Sequence, residues 1–231
     1  MKRLGLLGGM SWESSIEYER QINQLVRAKL GGTASADLII RSFNFAEIEE
    51  LQANGDWDKA GQLLSEAAQG LEAMGAEGLV ICTNTMHKLA SVVEGAVNIP
   101  LIHIADATAH KIVAKGLGNV ALLGTKFTME QDFYKSRLTQ NFGLDVSVPY
   151  PEQRDEIHRV IYEELVQGII VDSSRDYVLG VINELVASGA EGVIAGCTEI
   201  ELLVKPGDVA VEYFPTTAIH AAAAAQFALG D

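Results

Sequence analysis

Cysteine, proline and aromatic side chains are scarce in this chain, and basic residues are outnumbered by acidic ones. Two cysteines among 231 residues cannot build a disulfide framework, and their setting matches no metal-ligand spacing, so no metal site is expected. With five prolines there is no Pro-rich linker, and no low-complexity segment divides the chain; lobes, if there are two, are expected to share a tight interface. No stretch reaches the ~20 apolar residues of a membrane span. Behind Lys2 and Arg3 the apolar run to Met10 is too short and too Gly-rich for a signal peptide, which makes a cytoplasmic protein the expectation. The 17 Lys and Arg against 31 Asp and Glu leave a net charge of −14, which argues against nucleic acid and anionic membrane surfaces as partners. The same charge repels an acidic small molecule at long range, so such a substrate needs a strong local anion site. A chain of this length buries roughly 70–75% of its unfolded surface, enough to be stable without staples.

What the chain does have is an internal echo. Residues 75–84 read GAEGLVICTN and residues 189–198 read GAEGVIAGCT. Aligned without a gap, Gly75 falls on Gly189 and Thr83 falls on Cys197. A second pair, RLGLLGGM at 3–10 and NVALLGTK at 119–126, aligns Gly8 with Gly124 at almost the same offset. In the first pair, Gly-Ala-Glu-Gly closes a helix, a short apolar β-branched run follows, and a small polar cluster opens the next helix. That is a strand delivering side chains at its carboxyl end, where open parallel sheets bind ligands.

The rest of the chain fits alternating strands and helices. Strands are expected at Leu4 to Leu7, Leu38 to Arg41, Leu79 to Ile81, Leu101 to Ile102, Val120 to Leu123, Val146 to Val148 and Val193 to Ala195. Helices are expected from Trp12 to Leu30, with Ser11 as side-chain cap, from Asp56 to Met74, from Thr125 to Phe142, from Glu152 to Gln167, from Ser173 to Ser188 and from Thr216 to Leu229, with shorter ones between. The pattern predicts an α/β fold of two pseudo-symmetric three-layer lobes with mostly parallel sheets and the active site in the cleft between them. The first lobe spans 1–98, with a C-terminal helical segment 209–231 packing back on it, and the second spans 99–208.

A thiol between a strand end and a helix start sits among unpaired backbone N–H groups, which favour the thiolate and can lower a cysteine from about 8.5 to roughly 3.5–7.5. The same N–H groups can hold a carboxylate, and Thr198, Asn84 and Thr85 add neutral donors. Two such loops facing each other offer one proton-transfer group to each face of an α-carbon. Gly5 to Gly9 lacks the G-x-G-x-x-G spacing of dinucleotide sites and reads as a tight turn. His87 is either a core or capping residue or a tuner of its loop; His103, His110, His158 and His220 have no ligand spacing. Glu199 either orients Thr198 or the thiol, or favours its helix start. The run Glu47 to Glu50 reads as a solvated helix face.

The segments VICTNTMH (80–87), AGCTEI (195–200) and GLLGGM (5–10) together resemble the aspartate/glutamate racemase family, whose members work without pyridoxal phosphate. The resemblance implies no cofactor, a homodimer, and two-base inversion: one residue removes the α-proton and the opposite one returns a proton to the other face. By resemblance Cys197, in the motif that handles the L-enantiomer, is one catalytic residue. Family members carry the other cysteine immediately before the asparagine. Here that position is Thr83, and Cys82 lies one residue earlier. The internal repeat also pairs Thr83 with Cys197, and alternation along a strand end points Cys82 away from Thr83; Thr83 is favoured as the second catalytic residue, with Cys82 the alternative should a bulge intervene. Met10 and Gln52 stand where the family contacts substrate, beside Thr83, Asn84, Thr85, Thr198 and Glu199. Relatives selective for aspartate carry basic residues near the FAEIEELQ and EELVQG segments, where this chain offers Gln52 and Gln167, so wider specificity stays open. Acidic amino acids are the expected substrates. A hydantoin racemase, arylmalonate decarboxylase or maleate isomerase on the same scaffold, or a non-catalytic amino-acid-binding regulator, are the alternatives.

Overall fold

A computed structural model describes residues 1–230; the final residue of the expected segment 209–231 lies outside them. The chain divides into two compact units, Met1–His103 with the stretch from His220 onward, and Ile104–Ile219.

The first unit contains β1 (Leu4–Gly8), α1 (Trp12–Leu30), β2 (Leu38–Ser42), α2 (Phe45–Asn54), α3 (Trp57–Ala73), β3 (Gly78–Ile81), a 3₁₀ turn (Thr85–Leu89), α4 (Ala90–Ala96) and β4 (Leu101–Ile102). Its four strands pair in parallel in the order β2-β1-β3-β4. Strand alternation sends Leu7, Leu79 and Ile81 into one core layer with Ile48 and Leu64, and sends Leu4, Leu6, Val80 and Cys82 into the opposite layer with Tyr18, Ile22, Ala221 and Ala224. Both faces of the sheet are covered, which is why its strands read as continuous apolar runs.

The second unit contains α5 (Ile104–Ala114), β5 (Asn119–Gly124), α6 (Lys126–Glu130), α7 (Asp132–Phe142), β6 (Asp145–Ser147), α8 (Pro151–Glu163), a 3₁₀ turn (Leu165–Gln167), α9 (Asp172–Ala187), β7 (Gly192–Gly196), α10 (Ile200–Leu203), a 3₁₀ turn (Pro206–Asp208), β8 (Glu212–Pro215) and the start of α11 (Thr216–Leu229). Its sheet is again parallel and ordered β6-β5-β7-β8, the same winding as the first, as the internal repeat implies. Leu123, Val193 and Ala195 face α8 and α9, while Val120, Leu122 and Ile194 face α5 and α7. The division between units falls inside α11, whose alanine face joins the core of the first.

Three local features differ from expectation. β8 is an additional strand, since four residues carrying Glu212 and Pro215 make a weak strand signal. The helix expected over Thr125 to Phe142 breaks at Gln131, which is extended (φ −89°, ψ 147°), and restarts at Asp132; an acidic residue favours a helix start. Ser11 occupies the N-cap position of α1 without a side-chain cap bond. Its carbonyl instead accepts from the hydroxyls of Ser14 (3.0 Å) and Ser15 (2.8 Å), and Ser15 Oγ accepts the N–H of Gly9 at 2.7 Å. Among the described residues no helix is long and apolar enough to cross a membrane.

Candidate active site

In the first unit, the end of β3 carries the loop. The Cys82 N–H donates to the Leu7 carbonyl at 2.9 Å, continuing the ladder to β1, and the Thr83 N–H turns back onto the Ile81 carbonyl at 2.8 Å. Cys82 is 1% exposed among Leu4, Leu6, Val80, Tyr18 and the alanines of α11. Burial alone pushes its thiol far above the usual range. Met10 and Met86 belong to the other layer, and the Gln52 amide contacts the Met86 sulfur at 3.1 Å. Cys82 is thus on the opposite side of the sheet from Met10 and Met86. Thr83, Asn84 and Thr85 are all buried, Thr83 the most accessible at 9%.

Behind Thr83 stand three histidines. His87 Nδ1 lies 2.7 Å from the Thr83 carbonyl; a carbonyl only accepts, so Nδ1 carries the proton. The His87 ring meets His103 (centroids 4.6 Å apart) and His220 (5.6 Å) edge-on. His220 Nε2 by the same logic donates to the Ile102 carbonyl at 2.7 Å, leaving Nδ1 to accept from Tyr18 Oη at 2.8 Å. Burial lowers His220 to about 4, keeping it neutral. His103 and His220 have no ligand spacing in the sequence, and the fold packs both rings against His87.

In the second unit, β7 ends on Gly196, whose Cβ, if it had one, would sit 2.8 Å from the Leu123 carbonyl. Glycine here lets β5 and β7 approach at their carboxyl ends. Cys197 follows, 7% exposed. Its Sγ donates to Glu199 Oε2 at 3.0 Å, and Thr198 Oγ1 donates to the same oxygen at 2.6 Å. Glu199 therefore orients both neighbours, one of the two roles its position allowed. The expected lowering of the thiol is not found. Desolvation first, then the charge and hydrogen bond of Glu199, raise Cys197 well above an ordinary thiol, against the backbone amides of Glu199 and Ile200. The helix that follows, α10, has only four residues, too short for an appreciable helix dipole to add to those amides.

Sequence reasoning missed one further group. Glu201 Oε1 accepts the Thr217 backbone N–H at 2.7 Å, at the start of α11. Burial, with a smaller contribution from the charge of Glu199, raises its carboxyl to about 7 despite the Thr217 hydrogen bond. The alternating Glu199-Ile200-Glu201 was the one available signal. Among the described residues no cluster of three or more His, Cys, Asp or Glu could hold a metal ion.

Comparison with known proteins identifies the family. The sequence profile of the Asp/Glu/Hydantoin racemase family matches residues 7–224. A putative Asp/Glu racemase from Yersinia pestis is 56% identical over 99% of this chain and 100% of its own, with a TM-score of 0.93. An aspartate racemase homologue from Pyrococcus horikoshii OT3 is 37% identical over 99% of this chain and 100% of its own, with a TM-score of 0.85. An aspartate racemase from Picrophilus torridus shares the fold at 16% identity, covering 100% of this chain and 95% of its own, with a TM-score of 0.79. The chain belongs to the Asp/Glu/Hydantoin racemase family, a family of isomerases.

Proposed function

We propose that this protein is a cofactor-independent amino-acid racemase that inverts the α-carbon of aspartate- or glutamate-type substrates by two-base proton transfer, with Cys197 as base for the L-enantiomer and Thr83 as donor to the opposite face. The observation that carries the reading is the Cys197–Glu199 contact: a thiol hydrogen-bonded at 3.0 Å to a buried carboxylate. The Cys197 proton passes to Glu199, leaving thiolate and neutral acid; the thiolate then takes the α-proton, and Thr83 gives a proton to the carbanion. The Thr83 alkoxide then takes a proton from solvent and Glu199 gives its proton to solvent, which restores the thiol–carboxylate pair. The acidic substrates are suggested by the descriptions of the Yersinia and Pyrococcus proteins. Gln52, an amide where a cation would select a distal carboxylate, allows a wider range. The reading keeps a small-molecule amino acid as ligand and a homodimer as assembly.

Thr83 rather than Cys82 fits the donor role. Cys82 is packed in the layer away from Met10 and Met86, and burial holds its proton tightly. A hydroxyl gives the reaction a handedness: it resembles water, with a pKa of about 15 against about 8.5 for a thiol, so as a base it is weaker by roughly 9 kcal/mol. L-Substrate should exchange its α-hydrogen with solvent quickly and D-substrate slowly. Because the enantiomers are equal in energy, overall racemisation efficiency is the same in both directions.

The test is incubation with single L-amino acids in deuterated buffer without added cofactor, following the α-proton by NMR. Loss of that signal that vanishes in Cys197→Ala supports the reading. The hydroxyl at position 83 also favours a second reading, a non-catalytic amino-acid-binding protein. Saturable binding without exchange would identify that case, and turnover of hydantoins alone would identify the related ring-substrate enzymes.

A further inference from the structure

We propose that His87 is a positioning residue for Thr83: its Nδ1–H holds the Thr83 carbonyl, fixes the peptide plane that follows Thr83, and so aims the hydroxyl that protonates the carbanion. This rests on the racemase reading, since it concerns the residue that reading makes the donor to the opposite face.

β3 ends at Ile81. The Cys82 N–H still reaches the Leu7 carbonyl at 2.9 Å, but the Thr83 N–H has left the ladder and turns back onto the Ile81 carbonyl at 2.8 Å. The Thr83 carbonyl comes next, on a buried residue. A buried carbonyl beyond the end of its strand needs a donor, and His87 Nδ1, four residues on, supplies it at 2.7 Å. The two peptide planes that flank the Thr83 Cα are thus each tied, one through its N–H and one through its carbonyl. Peptide units are planar, so two tied planes fix φ and ψ, and with them the direction of Cβ. Threonine is β-branched, and a fixed backbone leaves its χ1 little freedom. Both backbone polar groups of Thr83 are engaged within the protein, so the hydroxyl is the polar group it has to offer a substrate.

The imidazole is itself held. His87 is buried, its backbone N–H donates to the Asn84 carbonyl at 3.1 Å, and its ring meets those of His103 and His220 edge-on, with centroids 4.6 and 5.6 Å away. His220 is pinned at both nitrogens, by Tyr18 Oη at 2.8 Å and by the Ile102 carbonyl at 2.7 Å. All of these groups belong to the first unit. A donor on a mobile side chain could satisfy the Thr83 carbonyl and still move with the loop. A ring packed against two others cannot follow it, and this gives the carbonyl a single direction.

The experiment compares two rates on one substrate. With L-glutamate in deuterated buffer, wash-in of deuterium to the L-form needs Cys197, whereas appearance of the D-form also needs Thr83. Both are measured as initial rates per folded molecule, by NMR and by chiral chromatography. His87→Leu keeps bulk but has no donor. Its ratio of D-form produced to L-form exchanged should fall on the order of tenfold or more, since a displacement of about 1 Å can cost about 10² in rate. His87→Gln carries its amide one bond too far out and should show the same fall, which gives a reading even if His87→Leu does not fold. His87→Asn places an amide N–H where Nδ1 stood and should hold the ratio within about threefold of the parent. A purely structural role lowers both rates together and leaves the ratio alone. Thr83→Ala should exchange L-glutamate without forming the D-form, and adding His87→Gln to it should change that exchange no further. An unchanged ratio in His87→Leu and His87→Gln, an equal fall in His87→Asn, or a further loss of exchange in the double variant overturns the proposal while leaving a racemase. A parent that neither exchanges nor inverts sinks the racemase reading, and the proposal with it.

Discussion

Cys82→Ala separates the two thiols of the chain. The side chain lies in a closed apolar layer, so its truncation should cost about 1–2 kcal/mol in urea unfolding while leaving α-proton exchange intact. Glu199→Gln makes the opposite division. Its amide oxygen still accepts from Cys197 and Thr198 but cannot take up a proton, so exchange of L-substrate should fall on the order of 10²–10³-fold with KM little changed, as expected for loss of a general base. Steady-state kinetics of the purified variant check this. These residue-scale outcomes also show what the sequence could carry. Strand alternation points Cys82 away from Thr83, and Cys82 packs in the layer of α11. That the Cys197 thiol is held protonated is not legible in the sequence, because it depends on Glu199 folding back two residues and on how completely the loop is covered.

At the scale of elements, the turn after β1 is the least tolerant segment. Gly9 has φ +81°, and a Cβ there would lie 2.3 Å from the Phe43 carbonyl oxygen and 2.4 Å from its nitrogen. Backbone cannot step aside as a side chain can. Gly9→Ala should therefore cost about 3 kcal/mol or more, read as a fall in urea midpoint. Gly78 faces an equally short approach, but to the ring of Phe227, which can rotate away, and Gly78→Ala should cost less. Strands bounded by glycine and built from Leu, Ile and Val were legible because both faces of each sheet are covered. β8 was not, since its pairing to β7 is decided by the neighbour rather than by its own composition. The duplication aligns Thr83 with Cys197 in sequence, and the two sheets share one winding order.

For the whole molecule, two buried groups set the pH response of stability, with opposite signs. Glu201 is raised to about 7, so its contribution is fully present below the ordinary carboxyl value and is lost as pH rises to 7, on the order of 3 kcal/mol. Glu201→Gln should accordingly be more stable than the parent at pH 8 and no more stable near pH 4. His220 is lowered to about 4, so its contribution is present above the ordinary histidine value and is lost as pH falls toward 4, by a similar amount. Between about pH 4.5 and 6.5 the two slopes oppose each other in the parent. Thermal or urea unfolding across that range should be flat for the parent and rise with pH for Glu201→Gln.

The central claim is that one sulfur and one hydroxyl divide the work on the two faces of an α-carbon. The most direct measurement is deuterium wash-in to L-glutamate and, separately, to D-glutamate, by the parent and by Cys197→Ala and Cys82→Ala, without added cofactor. The expected result is rapid exchange from the L-form and slow exchange from the D-form, unchanged in Cys82→Ala and absent in Cys197→Ala. Equally fast exchange from both enantiomers, or exchange that survives Cys197→Ala or disappears in Cys82→Ala, would contradict it.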